Sequence, residues 1–284
     1  MNILRTPADM QQRARELRAA GKRIGFVATM GYLHEGHLSL MRLARKESDV
    51  VVVSIFVNPA QFAPNEDLDK YPRDFARDEA LCRQAGVDII FYPEARDMYA
   101  PDASVYVAEE SLSRVLCGAS RPGHFRGVCT VVAKLFNLVL PDVAVFGEKD
   151  GQQLRIIERM VRDLNFPVRI VRGPTVREPD GLAMSSRNAY LSRDERKQAG
   201  LLKRALDKAA LMYSELDMRD TKKIKESIVK VVLHGPDARV DYVEIVDDRT
   251  LEPVETIDRR CLIALAVYVG KTRLIDNLVI GGAR

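Results

Sequence analysis

Val50-Val51-Val52-Val53-Ser54-Ile55-Phe56-Val57 is an apolar, mostly β-branched run, which is how a strand buried on both faces of a parallel sheet reads. Shorter apolar runs predict further strands at 24–29, 88–92, 143–146 and 168–171. Between them the apolar positions recur at helical spacing. One helix opens at Thr6 as cap, with Pro7 in its first position and Gly21 just past its end. Others follow after His37, over 74–85, over 128–140, and from the glycine turn Gly147-Glu148-Lys149-Asp150-Gly151 to Leu164. Five strands alternating with helices predict a doubly wound α/β domain on a parallel five-stranded sheet, with right-handed crossovers. In such a sheet the strand order reverses beside the first strand, so the turns after the first and fourth strands can face one crevice.

Past Pro174 the pattern changes. Arg177-Glu178-Pro179-Asp180-Gly181 is a turn, and 182–191 is polar. Ser192 caps a helix over 193–213, a second covers 219–233 before Gly235-Pro236, and strands follow near 240–246, 262–268 and 274–280. This predicts a smaller α+β domain over 176–284 after an α/β domain over 1–175. Two irregular stretches interrupt the first domain. Asn58-Pro59 opens a polar loop through Gln61-Phe62-Ala63-Pro64-Asn65-Glu66-Asp67 to Arg73, and loops of that length are commonly functional. The second runs from Pro93 to the glycine-rich Cys117–Gly127 segment.

Composition narrows the classes. A chain of 284 residues, 46% hydrophobic and 30% charged, can bury a full core. The net charge of +4, from 44 basic and 40 acidic residues, is too mild to point to nucleic acid or a membrane surface. Cys82, Cys117, Cys129 and Cys261 form no Cys-x-x-Cys pair and read as reduced thiols. The first residues lack the apolar core of a signal peptide, so a cytoplasmic protein is expected.

Candidate chemistry gathers in three places. Met30-Gly31-Tyr32-Leu33-His34-Glu35-Gly36-His37 joins the first strand to a helix. There Gly31 lets the backbone approach a ligand, Gly36 loosens the turn, and the helix head offers N–H groups to an anion such as phosphate. His34 and His37 are three residues apart, which puts both imidazoles on one side of the helix head. Two ligands are too few for zinc. The second cluster is Lys149 with Asp150 and Gln153, and the third is Ser185-Ser186-Arg187 at the expected domain junction, where ligand sites are common. Each alone is an ordinary surface turn. Other nucleotide motifs fail: Gly270-Lys271-Thr272 resembles the end of a P-loop, but Leu265 stands where its first glycine belongs. There is no Gly-x-Gly-x-x-Gly and no Gly-x-Ser-x-Gly.

Met30–His37 resembles the His-x-Gly-His signature of the nucleotidylyltransferase and class I synthetase superfamily, and Met184-Ser185-Ser186-Arg187 is similar to its mobile second signature. Within that group the chain resembles the pantothenate synthetase (pantoate–β-alanine ligase) family. Phe56-Val57-Asn58-Pro59-Ala60-Gln61-Phe62, Arg121-Pro122-Gly123-His124-Phe125-Arg126-Gly127, Phe146-Gly147-Glu148-Lys149-Asp150 with Gln152-Gln153, Arg177–Leu182 and Thr272-Arg273-Leu274-Ile275-Asp276-Asn277 carry the likeness along nearly the whole chain. Tyr32 and Ala60 depart from it, where Ala and Thr are expected.

The resemblance implies a Rossmann-like fold, a homodimer, and ATP-dependent condensation of pantoate with β-alanine through pantoyl adenylate. ATP with Mg2+ would be bound by Met30, Gly31, His34, His37, Gly147, Glu148, Lys149, Asp150, Val176, Met184, Ser185, Ser186 and Arg187, with Asp150 on the ribose. His34, His37 and Lys149 would be catalytic, and Gln61 and Gln153 would hold pantoate and β-alanine. A cytidylyltransferase of the same superfamily is an alternative, although its phosphorylated acceptor would call for basic residues where Gln61 and Gln153 stand. A non-catalytic nucleotide-binding protein is another, disfavoured by three intact phosphate clusters.

Overall fold

The computed structural model describes residues 1–64 and 66–282, so Asn65 of the polar loop lies outside the described residues. The first sheet is six-stranded, in the order β1-β4-β3-β2-β5-β6, with all its pairings parallel. Its strands are β1 (Asn2–Leu4), β2 (Ile24–Thr29), β3 (Val50–Ile55), β4 (Ile89–Phe91), β5 (Val143–Gly147) and β6 (Arg169–Gly173). The five expected strands are all present, and β2 is where the order reverses, flanked by β3 and β5. The sixth, β1, corrects the expected count: three residues beside β4 at the sheet edge are too few to show a period.

Helices cover both faces, as alternating side chains require. Phe26 stands edge-on to Phe136 at 6.4 Å, and Phe136 meets Phe146 likewise. Those contacts seat α6 (His124–Val139), with α1 (Pro7–Ala19) beside it. The neighbours of Phe26 and Phe146 along the strands, Val27 and Val145, point the other way. They join Val51, Val53, Leu38, Met41 and Cys82 in a cluster beneath α2 (Glu35–Glu47) and α3 (Phe75–Gln84). Two single-turn helices, α4 (Ala95–Met98) and α5 (Cys117–Ser120), lie within the irregular stretch, and α7 (Gly151–Asp163) follows β5.

Two helix starts differ from expectation. α2 begins at Glu35 with His34 as its cap, so His37 lies within the first turn and Gly36 is helical. α6 begins at His124, four residues before the expected Val128.

The second sheet is three-stranded and antiparallel, with β7 (Ala238–Asp247), β8 (Cys261–Val269) and β9 (Thr272–Ile280) in that order. β8 is buried along almost its whole length, as a central strand must be. α8 (Arg193–Ser214) and α9 (Thr221–Val232) pack on it through Leu202, Leu206, Ile224 and Ile228. Ser192 caps α8 in a reciprocal pair with Glu195. By contacts the chain forms two units. The first comprises Met1–Ser113, Gly118–Glu148 and Gln153–Pro174, and the second Arg114–Cys117, Lys149–Gln152 and Thr175 onward.

Within the second unit Asp276 is 2% exposed and meets Arg177 through two bonds of 2.6 and 2.9 Å. Removing one member of such a pair strands the other charge. Asp276→Ala is expected to cost about 3 kcal/mol, the lower end of the usual range because part of the Arg177 side chain reaches solvent. Urea unfolding followed by circular dichroism measures it. A loss under about 1 kcal/mol would place the pair among ordinary surface bridges.

Candidate active site

The turn between β2 and α2 is built around positive φ angles. Gly31 has φ +84° and Tyr32 φ +51°. A Cβ on Gly31 would lie 3.0 Å from the Asp78 carboxylate and 3.1 Å from Ile55 Cγ2. A side chain at Gly31 would therefore crowd Asp78 and Ile55. Asp78, on α3 and 1% exposed, accepts hydrogen bonds from Tyr32 N at 2.8 Å and Leu33 N at 2.7 Å. Burial pushes its carboxyl above the ordinary range against the opposing pull of those two N–H groups.

His34 follows, extended, as the N-cap of α2, and its N–H donates to Nδ1 of His37 at 3.2 Å. A neutral imidazole that accepts at Nδ1 carries its proton on Nε2. The cap thereby sets the tautomer of His37 and makes Nε2–H its donor end. The two rings lie 4.0 Å apart, centre to centre, at the positive end of the helix. Thr29 and Gly147 end β2 and β5, adjacent parallel strands paired from Gly25 with Val143. A Cβ on Gly147 would make only an ordinary contact with Leu40, at 3.9 Å.

Gln61 stands in a 3-10 turn, Pro59–Gln61. Asn58 Nδ2 donates to Gln61 Oε1 at 3.1 Å, and Gln61 Nε2 lies 3.1 Å from Met30 Sδ. Asn58 is itself fully bonded. Nδ2 also donates to Gly127 O at 3.2 Å, while Oδ1 accepts from Tyr99 OH at 2.7 Å and Ala60 N at 3.3 Å. Burial pushes the Tyr99 hydroxyl up to about 12, so it remains a donor. With one N–H given to Met30 Sδ and its oxygen held by Asn58, Gln61 offers its second N–H and one remaining lone pair, which suits a hydroxy acid.

The backbone of this turn is held too. His124 Nδ1 donates to Gln61 O at 2.9 Å, and Arg121 donates to His124 Nε2 at 3.1 Å. Arg121 also grips Glu66 through bonds of 2.7 and 2.6 Å. Burial alone would raise the Glu66 carboxyl, but the hydrogen bonds and charge of Arg121 hold it below its usual range. Gly127 lets α6 pass, since a Cβ there would stand 2.2 Å from Ala60 O. Gln153 is half-buried in the first turn of α7.

In the second unit, Lys149 and Asp150 end a 3-10 turn, with Lys149 Nζ 3.3 Å from Asp150 Oδ1. Asn277 Nδ2 donates to the carbonyl of Lys149 at 2.8 Å, and Asp276 accepts from Asn277 N. Val176 O accepts from Met184 N at 3.0 Å, beside a bridge between Arg177 and Ala183. Ser185 caps the 3-10 turn Ser186–Tyr190 by accepting from Arg187 N. Asn188 fixes that turn to Glu178, which Arg196 holds in a fork. Met184 to Arg187 are all half-buried.

The structure thus groups Met30, Gly31, His34 and His37, the Gln61 turn, Gly147, Glu148 and Gln153 in the first unit. It groups Lys149, Asp150, Val176 and Met184 to Arg187 in the second. Sequence reasoning assigns no role to Asn58, Tyr99, Asp78, His124, Arg121 or Asn277. For Asn58, Arg121, His124 and Asn277 the motifs already contain the residues. For Asp78 the signal is a carboxylate four residues before Cys82, on the buried face of α3. Among the described residues no group of three or more His, Cys, Asp or Glu is arranged to hold a metal ion, and no helix is long and apolar enough to cross a membrane.

The family described as Pantoate-beta-alanine ligase matches residues 2–279. The pantothenate synthetase of Thermotoga petrophila is 58% identical over 281 residues, covering 99% of this chain and 100% of that one. The Thermotoga neapolitana protein of the same name is 57% identical, with the same coverage. Among solved structures, the pantothenate synthetase of Thermus thermophilus superposes with a TM-score of 0.91 at 46% identity, covering 98% of this chain and 99% of that one. The pantoate-beta-alanine ligase of Francisella tularensis, solved with beta-gamma ATP and beta-alanine, gives 0.79 at 34% identity over 98% and 97%.

Proposed function

The chain belongs to the pantoate–β-alanine ligase family, and on that premise we propose that it joins pantoate to β-alanine in two half-reactions. In the first, a carboxylate oxygen of pantoate attacks the α-phosphorus of ATP and pyrophosphate leaves. In the second, the amine of β-alanine attacks the acyl carbon and AMP leaves, carrying the bridging oxygen. A carboxylate is already ionised at neutral pH, so the first step needs no general base. It needs alignment and stabilisation of charge growing on the phosphates.

The observation that carries this reading is the helix cap at His37. Its Nδ1 is engaged by the His34 N–H, which directs Nε2–H to act as a donor to anionic oxygen without a net charge on the ring. His34 supplies a second imidazole at the same helix head. Lys149 brings a point charge to the leaving pyrophosphate, and Asp150 contacts the ribose. Val176 and Met184 to Arg187, with Met30, Gly31, Gly147 and Glu148, complete the nucleotide contacts. Gln61 and Gln153 hold pantoate, through its hydroxyls and carboxylate, and β-alanine. Magnesium would enter with ATP and would supply charge stabilisation at the phosphates. The proposal extends to a cytoplasmic homodimer.

The route of oxygen tests it. Pantoate labelled with ¹⁸O in its carboxylate should pass one labelled oxygen to AMP, read by mass spectrometry after one turnover. Activation as an acyl phosphate would instead release ADP and put the label in inorganic phosphate. Unlabelled AMP, or ADP as product, would overturn the adenylate route even with pantothenate formed.

A further inference from the structure

The carboxylate of Asp78 is buried beneath the turn that carries the histidines, and both of its oxygens are taken by main-chain donors. Tyr32 N lies on Oδ2 and Leu33 N on Oδ1. Successive N–H groups following left-handed residues form a concavity that attracts an anion. In this turn the left-handed residues are Gly31 and Tyr32, and the anion is part of the protein. Tyr32 has a Cβ, so its φ of +51° is a strained conformation that persists only where the surroundings impose it. Asp78 supplies that imposition, and Arg77, its neighbour on α3, lies over the Tyr32 ring at 5.1 Å. Leu33 is fully buried, and His34 is the next residue along the chain.

We propose that Asp78 is a positioning residue for the reaction: by holding Tyr32 and Leu33 it fixes the direction in which His34 and His37 leave the turn. This rests on the assignment of those histidines to the phosphates. It also assigns the Tyr32 and Leu33 amides to the protein's own carboxylate, so ATP meets the imidazoles and the helix head instead. Both oxygens must accept. An amide in place of the carboxylate would set its NH2 against one of the two backbone N–H groups and break the clamp with little change in volume.

The test is Asp78→Asn, with His37→Ala assayed in parallel. Folded Asp78→Asn should form pyrophosphate from ATP and pantoate about 10–100-fold more slowly at saturation, since small misplacements of catalytic groups cost that much. Its KM for pantoate should stay near the wild-type value, and the ¹⁵N resonances of the His34 and His37 rings should move. A residue that merely supports the fold would lower the melting temperature and leave saturated turnover and the ring resonances unchanged, which overturns the proposal. Full activity in Asp78→Asn beside a dead His37→Ala overturns the proposal alone. Full activity in both overturns the histidine assignment beneath it. Should Asp78→Asn fail to fold, amide exchange in the wild type decides. Tyr32 and Leu33 amides at least about a hundredfold slower than exposed backbone support the clamp, and free exchange overturns it.

Discussion

Replacing His37 with alanine is expected to slow pyrophosphate formation from ATP and pantoate by about 10²–10³, the loss of about 3–4 kcal/mol that follows removal of one transition-state donor. The imidazole has two jobs. Nδ1 accepts the His34 N–H and so caps α2, while Nε2–H is assigned to the charge that develops on phosphate. Alanine removes both, and loss of the cap costs about 1 kcal/mol of stability by itself. His37→Gln separates them. A glutamine three residues into the helix can return the cap through its side-chain oxygen, but it places its NH2 differently from an imidazole Nε2. It should recover the melting temperature and leave the rate low. Stopped-flow pyrophosphate release on both variants, with circular dichroism to show that they fold, makes the comparison. Near-wild-type turnover in folded His37→Ala would remove the histidine from the chemistry.

Lys149→Ala should slow the first half-reaction by about 10–100-fold, because a hydrogen bond to a charged group contributes roughly 1.5–3 kcal/mol. The second half-reaction should change far less, since pyrophosphate has left by then. The variant reads on the ammonium because the main chain has its own anchor: the Asn277 amide holds the Lys149 carbonyl whatever side chain is present. Lys149→Arg keeps a charge but replaces a compact ammonium with a planar fork, so rescue should be partial. Supplying preformed pantoyl adenylate with β-alanine isolates the second step. Equal loss there would show that the lysine serves something other than the departing pyrophosphate.

The central strands are legible in the sequence because a strand buried on both faces must be mostly apolar, as in 50–55, where Ser54 is the one polar residue. β1 is not, because three edge residues carry no period, and β4 recruits them through pairing alone. The histidine pair is legible from its strand–glycine–helix setting, but the start of α2 is not. A cap made by His34 has no preference in sequence as serine or aspartate does. Gly31 suggests room for a ligand when read from sequence. Its angle is as expected for glycine, and the space a Cβ would need is taken by Asp78 and Ile55, which the sequence does not show.

By itself the sequence determined the alternation of strands and helices, the change of pattern near Pro174, the family resemblance, and which residue types could meet phosphate and a hydroxy acid. Those features are local, or they are motifs of contiguous residues. Only the tertiary structure decided what holds the motifs in place. The carboxylate on Tyr32 and Leu33 comes from 46 and 45 residues away, the hydroxyl on Asn58 from 41, the ring on the Gln61 carbonyl from 63, and the amide on the Lys149 carbonyl from 128. Each bond satisfies a polar group that packing has at least partly taken from water. Which partner does so depends on strand order and helix placement, and residue type alone does not encode either.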